Sequence, residues 1–412
     1  MKIITQIRWA AVILLNGLWL GASDWNQWRG AQRDGVAAGF KAPAVWAADA
    51  WSARWTLTVG EGHASPVVVG DRLFVFSRED DREILRCLEL ATGKVVWEEG
   101  YPVPYDMHPA ARGHGKGPKS TPAVVGGRVF ALGIDGHLSA WDAKSGAVLW
   151  RKSFAGEFKA TSPAFGASVS PIVEGENVIV HVGGRGEGAL IAFDAATGKV
   201  NWKWNGDGPA YTSPIIATFG GVRQLITQSQ MHCLAVAPAD GRVLWQIPFT
   251  TPYEQNIVTP VVFRDLVIFS GLRTPMFAVR VTGDGATQVW ENREISQYMS
   301  SPVLDGAKLY GMSDKRRGTL FTVDALTGTV LWKDEGLLGA NATLTDIGPA
   351  LLVLNDAGDL TVQEKAGDAL KEIARYKVAD APIWASLAVA GDEVIIKGKT
   401  TVALYRFSSA KE

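Results

Sequence analysis

The chain has 412 residues, 47% of them hydrophobic and 20% charged, enough to build a large buried core and incompatible with a disordered or low-complexity segment. With 41 basic and 42 acidic residues the formal charge is −1, which excludes a phosphate-tracking nucleic-acid binder. Two Cys cannot staple a domain of this size, and 45 Gly with 16 Trp point instead to many tight turns and large buried rings.

Lys2 and Arg8 flank a basic end, residues 9–20 are almost wholly apolar, and Gly21, Ala22 and Ser23 are small. That order is expected to be a secretory signal over residues 1–23, since the apolar run is shorter than the ~20 residues of a permanent membrane span. No Cys stands at the cleavage junction, so lipid attachment is not expected there. The mature chain, residues 24–412, is expected to be one domain, exported and periplasmic or secreted, with no stable membrane anchor after cleavage.

From residue 91 onward one pattern recurs. It reads Ala91-Thr-Gly-Lys-Val-Val-Trp97, Lys144-Ser-Gly-Ala-Val-Leu-Trp150, Ala196-Thr-Gly-Lys-Val-Asn-Trp202, Ala239-Asp-Gly-Arg-Val-Leu-Trp245 and Leu326-Thr-Gly-Thr-Val-Leu-Trp332. A longer copy runs from Gly285 to Trp290, and one around Gly367 has lost its Trp. Successive Trp residues from Trp97 lie 53, 52, 43, 45 and 42 apart, the period of one supersecondary unit. A second marker keeps step: Ser65-Pro66, Thr121-Pro122, Ser170-Pro171, Ser213-Pro214, Thr259-Pro260 and Ser301-Pro302, with degenerate copies near Thr343 and Ser386. Each unit reads as four short strands bounded by Gly, Asp and Asn; in the first these are 66–69, 73–77, 84–90 and 95–97.

The final unit, from 385, supplies three strands and stops, and its missing outer strand is found at 53–59, after a lead over 24–52. A ring closed in that way predicts an all-β, eight-bladed β-propeller of four-stranded antiparallel blades, with units starting at 65, 121, 170, 213, 259, 301, 343 and 385. The seven Trp that recur once per unit are expected to pack between neighbouring sheets. Cys87 and Cys233 fall on third strands of units one and four, too far apart to bridge, and are expected to be buried thiols.

Phe193-Asp-Ala-Ala-Thr-Gly-Lys-Val-Asn-Trp202, with Trp141-Asp142 and Val323-Asp324, resembles the tryptophan-docking repeat of the quinoprotein (PQQ-like) β-propellers. Trp25-Asn-Gln-Trp-Arg-Gly30, Arg33-Asp-Gly35, Gly115-Lys-Gly-Pro-Lys-Ser-Thr-Pro122 and Val182-Gly-Gly184 resemble an exported bacterial subgroup of it. That family holds quinone- and Ca²⁺-dependent dehydrogenases and binding scaffolds, among them the propeller lipoprotein of outer-membrane protein assembly. The chain lacks the adjacent Cys pair typical of the dehydrogenases and the lipidated Cys of the assembly lipoprotein.

Propellers bind at the channel or on the loops around its mouth. The residues two before each marker, His63, Lys119, Ser168, Tyr211, Ile257, Met299, Asn341 and Trp384, are expected to ring that mouth. The alternative is ordinary loop positions around a water-filled channel. The longest insertion, residues 98–119, concentrates His108, Arg112, His114 and Lys116, a set suited to an anion or a partner. The binding candidates are therefore His63, Lys119, Tyr211, Trp384, His108, Arg112, His114 and Lys116; no catalytic or metal residue is assigned. Glu61, Asp106, Glu254, Asn256 and Asp346 fall near predicted loops on that side and are what a Ca²⁺-and-quinone site would draw on. The expectation is a monomeric scaffold with a protein or small-molecule partner on its loop-rich face and no cofactor assigned. A PQQ- and calcium-dependent alcohol or sugar dehydrogenase is the alternative.

Overall fold

Every repeat unit folds into a four-stranded antiparallel sheet, and the computed structural model, which describes residues 24–47 and 51–407, contains eight such sheets. In blade 1 the strands are Val67–Val69, Arg72–Glu79, Arg82–Glu89 and Val95–Pro102, paired in that order. The two middle strands are buried along nearly their whole length because neighbouring blades cover both their faces. The outermost strand is half exposed and runs to Pro102, so residues 98–102, expected to open the long insertion, continue the sheet instead.

Blade 8 closes the ring. Its inner strands Ala388–Ala390, Glu393–Lys397 and Thr401–Phe407 are completed by Trp51–Thr58, which pairs antiparallel with the third of them, where the pattern suggested 53–59. The architecture is an all-β, eight-bladed propeller. Cys87 and Cys233 are buried and free. The signal segment over 1–23 lies outside the described residues, and among those described no helix is long and apolar enough to cross a membrane.

The two sequence markers have separate structural reasons. At the turn before the outer strand of five blades a Gly with positive φ lies over the indole of the preceding blade. A Cβ on Gly198 (φ +68°) would sit 2.7 Å from Trp150, and Gly93, Gly146, Gly241 and Gly328 stand likewise over Trp55, Trp97, Trp202 and Trp290. Four of these indoles also donate Nε1–H to a carbonyl of the next blade: Trp55 to Leu90, Trp97 to Ala143, Trp150 to Ala195 and Trp202 to Pro238, at 2.9–3.2 Å. The Ser/Thr before each Pro forms a second ring nearer the axis. The Ser65 N–H donates to Thr121 Oγ1, Thr121 N–H to Ser170 Oγ, Ser170 N–H to Ser213 Oγ, Thr259 N–H to Ser301 Oγ and Ser386 N–H to Ser65 Oγ, at 2.9–3.1 Å.

The lead does more than precede the ring. Trp25 bridges Val68, and the Asn26 carbonyl accepts from Val124 N–H while its amide donates back to the Val124 carbonyl. Trp28 Nε1 donates to Thr259 Oγ1, and Arg29 to the Pro302 carbonyl at 2.5 Å. Arg33 reaches the Ser170 and Pro171 carbonyls, and Asp346 N–H donates to the Gly35 carbonyl. One short segment thus ties blades 1, 2, 3, 5, 6 and 7 together across the inner end of the channel and forms its floor.

Candidate functional site

The innermost strands are only three to five residues long, so the residues just before them crowd round the channel axis. All eight positions two before the Ser/Thr markers, His63, Lys119, Ser168, Tyr211, Ile257, Met299, Asn341 and Trp384, line one cavity of about 130 Å³ above the floor. Trp28 and Arg29 of the lead close it from below, and His114 and Phe165 lean in from the loops.

Aromatic rings order one wall. His114 stacks on Trp384 with centroids 4.2 Å apart and an interplanar angle of 19°, and His63 meets the same indole edge-on at 4.8 Å. Phe165 bridges His114 to Tyr211 through two edge-to-face contacts at 5.4 and 6.2 Å. His63 Nε2 lies 3.1 Å from the His114 carbonyl, so the Nε2–H tautomer donates there. Lys119 Nζ donates to the Phe165 carbonyl.

Electrostatically the cavity is one-sided. Burial lowers His63 to about 3, with Lys119 and Lys397 adding to the effect, and lowers His114 to about 4, with Lys119 adding. Both rings are therefore neutral near pH 7. Burial also lowers Lys119 to about 8, which leaves it mostly charged, and Arg29 only to about 10, with Asp34 opposing. Behind the His63 loop the Lys397 amine is ringed by the carbonyls of Gly60, Gly62, Gly398 and Lys399 at 2.8–3.2 Å, and burial brings it to about 7. No carboxylate lines the cavity among the described residues.

A wider vestibule of about 1,100 Å³ opens above, and Phe165, Tyr211, Gln255 and Tyr298 line both spaces. Its rim carries Arg185, Arg273 and Arg317, with Tyr253 and Leu337 exposed at 78% and 75%. Tyr253, Glu254, Arg273, Arg317 and Leu337 all hold positive φ, between +52° and +80°, so the rim loops present their side chains from strained backbone.

The predicted site residues divide. His63, Lys119, Tyr211, Trp384 and His114 meet at the inner cavity; His108 lines the vestibule. Arg112 is exposed, and Lys116 contributes its backbone N–H to the Glu61 carboxylate at 3.0 Å; neither lines either space. The carboxylates and amide considered for calcium do not converge. Glu254 pairs with Arg185, Asn256 donates to the carbonyls of Ser229, Gln230 and Phe249, and Asp106 is exposed. Asp346 sits at the floor, bonded to Lys365, because its strand begins at the cavity and ends at the far side. A calcium ion takes six to eight oxygen ligands, with carboxylates foremost. A cavity lined by Lys119 and Arg29, below the ~300–1,000 Å³ of ordinary small-molecule sites, does not fit calcium with a quinone. Sequence reasoning missed Trp28, Arg29, Phe165 and Lys397. Only the first two left a signal, in the dense Trp25-Asn-Gln-Trp-Arg-Gly30.

A family model described as outer membrane protein assembly factor BamB matches residues 80–334. The outer membrane protein assembly factor BamB of Yersinia pestis is 22% identical over 365 residues, covering 84% of this chain and 86% of that one. A quinohemoprotein alcohol dehydrogenase of Pseudomonas putida is 28% identical over 158 residues, 38% of this chain but 21% of that one. Among solved structures, BamB of Moraxella catarrhalis superposes with a TM-score of 0.66 at 15% identity, over 87% of this chain and all of that one. The quinohemoprotein alcohol dehydrogenase of Comamonas testosteroni gives 0.70 at 13%, over 95% and 81%. At such identities the superpositions speak to the fold alone.

Proposed function

The chain belongs to the family described as outer membrane protein assembly factor BamB, and on that premise we propose that it is an exported, non-catalytic propeller scaffold that docks a protein partner of outer-membrane assembly on its vestibule face. The observation that carries this reading is the rim. Tyr253 and Leu337 stand almost fully exposed on positive-φ backbone beside three arginines. A Tyr next to Arg is the composition of binding hot spots, and loops held by a rigid ring are a usual place for them. The alternative, a quinone- and calcium-dependent dehydrogenase, gains nothing from the cavity's donor set.

Site-specific photo-crosslinking at Tyr253 and Leu337 in intact bacterial envelopes tests the proposal. The expected result is adducts with a component of the outer-membrane assembly machinery, absent from probes at Val95 and Val148 on the outer strands. In a binding assay with that component, Tyr253→Asp and Leu337→Asp are expected to weaken affinity at least tenfold, the scale of an interface anchor. Equal labelling at rim and outer strands, or dye reduction by alcohol after loading with PQQ and calcium, would remove it.

A further inference from the structure

The inner cavity carries an inference of its own, which does not rest on the scaffold reading. Besides its one-sided charge, it keeps unused polar atoms: Arg29 Nη1, Trp384 Nε1, Asn341 Oδ1 and Thr343 Oγ1 are buried without a hydrogen-bond partner, and all four residues line it. Arg29 and Asn341 are 4% and 2% exposed, so these are built parts of the channel and not surface groups. Lys119 pairs with no carboxylate among the described residues; its one bond is to the Phe165 carbonyl. Of the four unused atoms, Arg29 Nη1 and Trp384 Nε1 are N–H donors, costly to leave buried and unpaired, and a site that holds Lys119 with no carboxylate among its described lining residues is completed by an acceptor-rich anion.

The rest of the lining limits which anion. Ile257, Met299, Leu344 and the Trp384 indole supply apolar walls, which suit a ligand with a hydrocarbon body better than a free phosphate. Size sets the upper bound. An apolar cavity of about 150 Å³ accommodates one benzene ring, and this one, at about 130 Å³, takes a body of comparable or smaller bulk. Among the described residues no acidic side chain lines the cavity, which argues equally against an amine.

We propose that the inner cavity binds a small organic monocarboxylate, its anionic head drawn by Lys119 and Arg29 and its short apolar body set against Trp384, Ile257, Met299 and Leu344. Entry is through the vestibule, past the Phe165 and Tyr211 rings shared by both spaces.

The test uses the purified full-length mature protein and three isosteric probes, sodium butyrate, 1-butanol and butylammonium, followed by tryptophan fluorescence and calorimetry. The expected result is saturable butyrate binding at about millimolar affinity or tighter, with the alcohol and the amine at least tenfold weaker. Lys119→Met should lose at least tenfold while Arg112→Ala, outside the cavity, keeps the affinity. Butyrate affinity should fall as pH rises through about 8, where Lys119 loses its charge. If Lys119→Met does not fold, the three-probe comparison on the unaltered protein decides alone. Equal binding of butanol and butyrate, or no saturation by about 20 mM butyrate in a folded protein, would overturn the proposal and leave a water-filled channel. The crosslinking experiment can fail while butyrate binds, and the reverse, so the two readings are separable.

Discussion

At the junction of blades 2 and 3 the Trp150 indole lies under the turn glycine Gly198, and the Thr121 N–H donates to the Ser170 hydroxyl. At the junction of blades 6 and 7 neither device is present: Gly367 has the same φ, +67°, with nothing within 4 Å, and two reciprocal ion pairs, Lys308–Asp368 and Lys365–Asp305, span the gap. Every junction falls on one side or the other. Five carry both the docked indole and the hydroxyl bond (8 to 1, 1 to 2, 2 to 3, 3 to 4, 5 to 6), and three carry neither. Between blades 4 and 5, Gln224 takes the Trp245 Nε1–H at 2.8 Å and donates to the Gly283 carbonyl, relaying the dock through an amide. Between blades 7 and 8, Trp51 stacks on Tyr376 and Tyr405 at 5.5 and 4.8 Å. The two devices are present or absent together, and where they are absent an amide relay, ion pairs or aromatic stacking stands at the junction.

The largest expected effect breaks a regular junction. Trp150 is 8% exposed and gives up both its packing and its bond to Ala195 when truncated. Trp150→Ala is expected to cost ~3–5 kcal/mol in denaturant unfolding, as deletions of buried aromatic side chains do. Trp332, half-buried and without a turn glycine against it, should cost only the ~1.5–3 kcal/mol of its apolar burial. Equal losses would mean that the dock contributes nothing beyond area.

A finer cut keeps every indole in place. Gly198→Ala and Gly367→Ala impose the same penalty for positive φ, roughly 1–2 kcal/mol. Only the first also drives a methyl into an indole at 2.7 Å, adding about 1–3 kcal/mol of overpacking. The difference between the two variants therefore measures the dock directly, and a difference near zero would show that the ring simply moves aside.

How much of this was legible follows the same division. The regular junctions wrote themselves into the sequence, since a turn Gly over the indole of the preceding blade and a Ser/Thr hydroxyl just before the inner strand are each demanded by one contact. The cavity positions were legible for the same reason, because the Ser/Thr-Pro marker fixes which residue faces the axis. The floor was not, for Trp28, Arg29 and Arg33 occur once and have no repeat to compare with. Asp346 was assigned to the wrong side because Thr343, its local marker, lacks the proline that fixes the start of the strand.

pH sharpens the comparison at the junction of blades 8 and 1, which is regular and also holds His63 against Trp384. The folded state depresses His63 to about 3 from 6.5, so the unfolded chain binds the extra proton first, and stability falls as pH drops below about 6.5. At pH 5 the expected loss from this residue is ~2 kcal/mol relative to pH 7, and His63→Gln should flatten the profile by that amount. At the junction of blades 1 and 2 the sign reverses. Burial raises Glu83 to about 7 from 4.5 against the opposing bonds from Ile134 N–H and Tyr101, so its contribution is fully present below 4.5 and is lost as pH rises towards 7. Glu83→Gln should therefore tilt the profile opposite to His63→Gln, and two variants that tilt it the same way would contradict the burial of one of them.

The smallest effect belongs to the ion-paired junction. Lys308 and Asp368 approach to 2.9 Å, but their side chains are 35% and 57% exposed, so water screens most of the attraction. A double-mutant cycle with Lys308→Met and Asp368→Asn should give a coupling of ~0.2–1 kcal/mol. That coupling should shrink in 1 M salt, where the screening length falls to about 3 Å. The cost of Trp150→Ala, which removes packing and not charge, should not shrink with it. Lys365 is excluded from the cycle because it also holds Asp346, 5% exposed in its side chain, and removing it would leave a buried carboxylate unpaired. A coupling above about 2 kcal/mol, or one indifferent to salt, would mean that the pair is shielded from solvent and that this junction is held as firmly as the docked ones.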